Sequence, residues 1–161
     1  MSDEPVPSGS IWSQPERWEE RKSPAECPIC RDGRPTNVLV EFAASFACAG
    51  PKAPLPGYVC LVARRHVVEP FELPEPERSQ FWAEGLLVAK ALNSLFAPAR
   101  INYEIHGNTM PHLHMHLHPR YADDPYVGGP IGWCASFDRT EADRQAIAAA
   151  IRREQAIEAD R

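Results

Sequence analysis

Between Pro111 and Arg120 every second residue is a histidine: Pro-His112-Leu-His114-Met-His116-Leu-His118-Pro-Arg. In an extended strand, side chains alternate between two faces with period two. The run therefore sets Leu113, Met115 and Leu117 on one face and four imidazoles on the other. The apolar face requires a core beneath it, so this segment belongs in a sheet covered on one side. The opposite face gathers four of the 6 histidines in the chain. Imidazole binds metals, carries protons and attacks electrophiles near neutral pH. Three uses of such a row are open. It can be a solvated polar face, although such faces usually draw on Lys, Glu and Thr. It can hold a catalytic zinc through histidines at i and i+2 plus a third ligand. That use normally recruits a carboxylate as base, and the strand contains none. Or one neutral imidazole attacks phosphorus while its neighbours bind the phosphate.

The rest of the chain surrounds this strand with an α+β pattern. Residues 1–26 are rich in Pro, Ser, Glu and Arg and read as an irregular arm, with Trp12 and Trp18 as anchors onto a folded surface. Strands are expected at Asn37–Phe42, Ser45–Cys48, Tyr58–Ala63, Ile101–His106 and His112–His118. The Tyr58–Ala63 run is apolar on both faces. Gly50–Gly57 holds three prolines and reads as a loop with no ladder. Pro74-Glu-Pro-Glu77 opens a helix whose Phe81, Val88, Leu92 and Leu95 recur at helical spacing, and Pro98 ends it. Thr140-Glu-Ala-Asp143 resembles a capping box ahead of a helix with Ile147, Ile151 and Ile157 on one side. The charged residues Arg144, Arg152, Arg153 and Glu154 belong to its solvent face. Strands, a helix, strands and a second helix imply a mainly antiparallel sheet.

A length of 161 residues suits one domain with its own core. The net charge, 17 − 22 = −5, argues against a nucleic acid polymer as partner but leaves room for a small phosphate ligand. No run approaches a membrane span, and the acidic start lacks an apolar signal region, so the expected location is the cytoplasm.

Gly107-Asn-Thr-Met-Pro-His112-Leu-His114-Met-His116-Leu-His118-Pro-Arg120 resembles the signature of the histidine-triad (HIT) family, in which three histidines alternate with apolar residues. Pro56-Gly57-Tyr-Val-Cys-Leu-Val-Ala-Arg-Arg-His66 resembles that family's Pro-Gly strand ending in a basic residue and His. The likeness covers roughly residues 27–121, with 1–26 as the arm and 122–161 as a loop and C-terminal helix against the core. It implies a five-stranded, mainly antiparallel sheet with one main helix, and a homodimer. It also implies cleavage at the α-phosphorus of an AMP-like nucleotide through a covalent nucleotidyl-histidine. His114 is then the nucleophile. His116 donates toward the phosphate or leaving group. Asn108 and Thr109 lie near the phosphate, and His112 is a further substrate contact. His118 departs from the family pattern, which has an apolar residue there; on the same face, it either extends the phosphate or leaving-group site or sits at its rim. Asn102, on the preceding strand, is either a polar contact to the nucleotide or structural. A chemically coherent His114 needs one nitrogen free and the other fixed by a hydrogen bond, with a backbone carbonyl as the expected acceptor. The family often places Asn or Asp seven residues before the Pro-Gly glycine to hold the ribose. That position here is Gly50, so the ribose contact is missing or comes from elsewhere. Two other readings stand beside this one: a nucleotide-binding module without turnover, and a metal-dependent hydrolase.

Cys27-Pro-Ile-Cys30 has the spacing of a zinc knuckle, an empty thiol pair or a redox pair. Similar bacterial members of the family complete a structural zinc site with the histidine after the Pro-Gly strand and the first triad histidine, here His66 and His112. Cys48, Cys60 and Cys134 read as small buried residues. Arg64 and Arg65 read as solvated, His106 as structural, and Trp133 as core.

Overall fold

The computed structural model describes residues 14–126, 129–131 and 137–160. Trp12, Trp133 and Cys134 lie outside them. In chain order the elements are α1 (Pro15–Arg21), α2 (Pro28–Asp32), β1 (Val38–Glu41), β2 (Ser45–Cys48), β3 (Lys52–Ala53), β4 (Val59–Ala63), α3 (Glu77–Phe96), β5 (Arg100–Glu104), β6 (His114–Arg120), β7 (Phe137–Asp138) and α4 (Glu141–Ala159). Five strands form one sheet in the order β1-β2-β4-β6-β5, antiparallel at every pairing. This is the α+β, five-stranded antiparallel architecture expected from the sequence.

The core is built where the period-two and helical patterns meet. Val59, Leu61, Met115 and Leu117 from the central strands pack under Phe81, Val88 and Leu92 of α3, with Ile147 and Ile151 of α4 in the same cluster. Burial of these side chains contributes roughly 1.5–3 kcal/mol each. Helix α4 opens at the capping box expected there: the Thr140 hydroxyl accepts from the Asp143 N–H, and the Asp143 carboxylate accepts from the Thr140 N–H at 2.8 Å. The glycine of the Pro-Gly pair has a physical reason. Gly57 has φ 78°, and a Cβ there would lie 2.8 Å from Phe96 and 2.9 Å from Pro119. Neither the backbone nor the space admits a side chain.

Several expectations are corrected. The arm is not wholly irregular: residues 15–21 are helical, started by Pro15 with Glu16 in the first turn, and Trp18 is half-buried. The proline-rich loop does make a short ladder, Lys52–Ala53 with Phe137–Asp138, because two residues between prolines suffice for it. Leu95 and Ile157 are both 40 % exposed, since each lies one turn beyond the region its helix covers. Glu154 is buried rather than solvated and pairs with Lys90 at 2.8 Å across the α3–α4 contact. Among the described residues no helix is long and apolar enough to cross a membrane.

Candidate active site and adjoining metal-ligand cluster

Strand β6 pairs with β4 through Val62↔His114 and Cys60↔His116. Opposed residues of an antiparallel pair share a face. Tyr58, Cys60 and Val62 therefore stand beside the imidazoles. Together with Ile29 and the His106–Met110 segment they line a cleft of about 510 Å³ that contains His114 and His116. The strand alternation that buries Met115 and Leu117 leaves these two rings partly open to it.

The hydrogen bonds assign the nitrogens. His114 Nδ1 lies 2.7 Å from the carbonyl oxygen of His112. A carbonyl only accepts, so Nδ1 carries the proton and the Nε2 lone pair of the neutral ring is free. This is the carbonyl-fixed arrangement expected from the chemistry. His116 Nδ1 lies 2.8 Å from the Tyr58 hydroxyl. Burial raises Tyr58 well above the usual phenol range and, with the neighbouring His114 and His118 rings, pushes His116 down to about 3. A phenol oxygen both donates and accepts, so this contact holds the His116 ring against Tyr58 with its proton on either nitrogen. His106 lines the cleft with Nε2 at 2.9 Å from Glu104 Oε2, and its ring centroid is 5.7 Å from that of His116. Asn108 and Thr109 sit on the same exposed turn.

Three residues read as candidate substrate contacts are not brought to the cleft wall. His118 is 2 % exposed and stacks on Tyr58 with ring centroids 4.8 Å apart. The strand continues past the cleft floor and carries this ring under the phenol. Its Nδ1 has no hydrogen-bond partner among the described residues. Asn102, paired with His118 across β5–β6, turns its amide to Glu104 at 3.4 Å. His112 is 1 % exposed and faces the cysteines. Arg64 lies over the Phe46 ring and donates to the Phe42 carbonyl at 2.6 Å, while Arg65 pairs with Glu77. Cys48 is buried as expected, but Cys60 is only partly so and lines the cleft. Tyr58, Cys60 and Val62 escaped attention because their run read as buried on both faces. Pairing that run with the histidine strand would have found them.

Buried neutral imidazoles make stability depend on pH. Burial pushes His118 down to about 4, opposed by Glu104 and assisted by Arg120 and His106, and His116 to about 3. Both folded values lie below the unfolded value of about 6.5. The associated stability is fully present above about 6.5 and is lost as pH falls from there toward the folded values of about 4 and 3, because over that range the unfolded chain takes up protons the folded one refuses. Near pH 5 the slope approaches about 2 kcal/mol per pH unit. Urea midpoints at pH 7 and pH 5 should show the drop, and His118→Leu should roughly halve it. Equal midpoints would contradict the buried, neutral assignment.

A second constellation adjoins the first. One ligand atom each from Cys27, Cys30, His66 and His112 lies within 4.8 Å of every other. The residue at 27 ends the approach to α2, Cys30 sits within α2, His66 follows β4, and His112 precedes β6. His112 donates Nε2–H to the Ala63 carbonyl at 2.8 Å, and His66 donates Nε2–H to the Lys22 carbonyl at 2.7 Å. Both Nδ1 lone pairs then face the cysteines, and each other at 3.2 Å. The Cys27 Sγ to His112 and Cys30 Sγ to His66 separations are 3.3 and 3.2 Å. Tetrahedral zinc with bonds of about 2.0–2.3 Å needs edges of roughly 3.3–3.8 Å. Carbonyls that fix the outer nitrogen are what oriented histidine ligands require.

The HIT-domain family model matches residues 31–123, more than half of the chain. A histidine triad protein from Sinorhizobium meliloti is similar in structure, with TM-score 0.65 and 25% identity over 73% of this chain and 87% of that one. One from Bradyrhizobium japonicum has TM-score 0.64 and 26% identity over 73% and 88%. A zinc-bound histidine triad family protein from Mycobacterium smegmatis shares the fold at TM-score 0.63 and 18% identity over 84% and 99%. Among curated proteins none matches.

Proposed function

The chain belongs to the histidine-triad (HIT) family, and on that premise we propose that it is a nucleotidyl hydrolase or transferase acting at the α-phosphorus of an AMP-like nucleotide. The observation that carries the proposal is the His114 tautomer. With Nδ1–H tied to the His112 carbonyl, Nε2 offers its lone pair to the cleft. In the first step Nε2 bonds to phosphorus and the bond from phosphorus to the leaving group breaks. The leaving group departs with the electron pair and takes a proton from solvent water, while the His116 ring, 4.8 Å from the His114 ring between centroids, hydrogen-bonds toward the phosphate or leaving group and keeps its own proton. The His114 ring becomes cationic as the bond forms, so its hydrogen bond to the carbonyl strengthens when it is most needed. Asn108 and Thr109 are placed to donate to phosphate oxygens. In the second step water bonds to phosphorus and releases a proton to solvent, the P–N bond breaks with its electron pair going back to Nε2, and His114 returns to neutral.

We also propose that Cys27, Cys30, His66 and His112 hold a structural zinc ion. The donor set fits a closed four-ligand site, and such an ion supplies cross-linking rather than an open coordination position. The site ties the segment around α1 and α2 to the histidine strand.

The experiment mixes the full-length protein with adenosine 5′-phosphoramidate and quenches it in alkaline denaturant, where a phosphorus–imidazole bond persists, followed by intact mass and peptide mapping at high pH. An adduct of one AMP on His114 is expected. Turnover with no adduct, or an adduct on another residue, would overturn the mechanism. AMP binding without turnover would instead favour the binding-module reading.

A further inference from the structure

The imidazole cleft continues into a second lobe of about 460 Å³, and the two share Ile29, Tyr58, Cys60, Val62 and Met110. We propose that this second lobe takes the sugar and base of the nucleotide and that Asn37 binds the ribose hydroxyls. The proposal rests on the nucleotide reading above and adds the residue that sets sugar specificity.

The sheet register carries the argument. Neighbouring strands run His116–Cys60–Cys48–Val38 in one row. Strands are about 4.8 Å apart, so a group at the level of β2 lies roughly 10 Å from the histidine strand. A phosphate bonded to His114 with a pentose attached spans that interval across the apolar floor of Cys60 and Val62. Asn37 sits at that end of the trough. Its carbonyl accepts from the Ala49 N–H at 3.0 Å, which fixes it beside the end of β2. Its φ is 57°, a left-handed conformation that asparagine tolerates better than most residues.

The Asn37 amide lies directly over Gly50, in the space that a side chain longer than Ala at 50 would enter. A Cβ on Gly50 would lie 3.5 Å from Asn37 Nδ2 and 3.8 Å from Asn37 Cγ. A larger side chain at 50 would therefore compete for the volume the amide fills. The backbone there is held firmly: Arg139 donates to the Gly50 carbonyl at 2.7 Å and to the Tyr58 carbonyl at 2.7 Å, and Arg144 donates to the Ala49 carbonyl at 3.0 Å. Among the described residues the Asn37 amide makes one hydrogen bond, a 3.4 Å contact to Thr36 Oγ1. Its carbonyl oxygen and second N–H remain to meet a vicinal diol, whose hydroxyls each donate and accept. The lobe's charged side chains are Asp32, Arg34 and Lys52, and Thr36 and Tyr58 add hydroxyls.

The test compares AMP with 2′,3′-dideoxy-AMP by calorimetry on the full chain. The wild type should bind AMP about tenfold more tightly, the value of one to two net hydrogen bonds. Asn37→Gly keeps the left-handed backbone and should bind the two nucleotides alike. With the Asn37 amide gone, the next neighbour of a Gly50 Cβ is the Lys52 carbonyl at 3.9 Å, ordinary contact distance. The double variant Asn37→Gly/Gly50→Asn should thus return an amide to the same place and restore much of the preference. A wild type indifferent to the hydroxyls, or an Asn37→Gly variant with the preference intact, would overturn the assignment even where the His114 adduct forms. A protein that neither binds AMP nor forms the adduct would remove the nucleotide reading as well.

Discussion

On the proposed mechanism His114→Ala should lower turnover by at least about 10⁴-fold and leave the melting temperature within a few degrees of the wild type. The size follows from removal of a covalent nucleophile, for which losses of this order are ordinary. The neighbouring rings are engaged elsewhere through at least one nitrogen each. His112 commits Nε2 to the Ala63 carbonyl and aims Nδ1 at the cysteines. His106 commits Nε2 to Glu104. His116 has Nδ1 against the Tyr58 hydroxyl, and its ring stacks with that phenol at 5.9 Å between centroids. The fold survives because the His114 ring is partly exposed and its one described hydrogen bond is to the carbonyl two residues away. Initial rates with adenosine 5′-phosphoramidate, together with a thermal melt, check both halves. His114→Gly leaves space for free imidazole, and partial rescue by added imidazole is expected from a nucleophilic role. A variant that keeps a tenth of the wild-type rate would mean that phosphorus is attacked by another atom.

Much of this was legible in the residues, and for identifiable reasons. The alternation from His112 to His118 specifies both the strand and its two faces, because a one-residue slip would bury imidazoles and expose Leu113, Met115 and Leu117. The capping box at Thr140 and the glycine at 57 are local signals and hold locally. What the pattern could not reveal is how far along the strand the cleft extends. Sequence spacing treats the four histidines as equivalent, yet tertiary packing gives each a different partner: His112 the cysteines, His114 its own strand, His116 the phenol and His118 the space under it. The role of Asn37 was invisible for a related reason. Its nearness to Gly50 comes from the β1–β2 register and a left-handed residue, neither of which a count along the chain reports.

Stripping the proposed zinc from the protein with a chelator, or replacing Cys27 and Cys30 together by Ser, should lower the melting temperature by roughly 10 °C or more and reduce activity in step. An ion bound at about a thousand times its dissociation constant contributes on the order of 4 kcal/mol, and each kcal/mol shifts a domain of this size by about 2–4 °C. The geometry gives the fall a second cause. Two Nδ1 lone pairs aimed at each other at 3.2 Å have no proton between them, because both histidines place theirs on Nε2. Without a cation only weak thiol donors meet these lone pairs, and His66 and His112 are held less firmly. His112 is also the residue whose carbonyl fixes His114. A less firmly held His112 therefore scrambles the tautomer of the nucleophile as well as loosening the segment around α1 and α2. Stability and turnover are coupled through one residue, and added zinc should restore both together in the chelated wild type. A metal that acted on the substrate itself would behave otherwise: activity would vanish at chelator concentrations that leave the melting curve in place. That outcome, or a metal content well below one zinc per chain in the fully active protein, would remove the structural role.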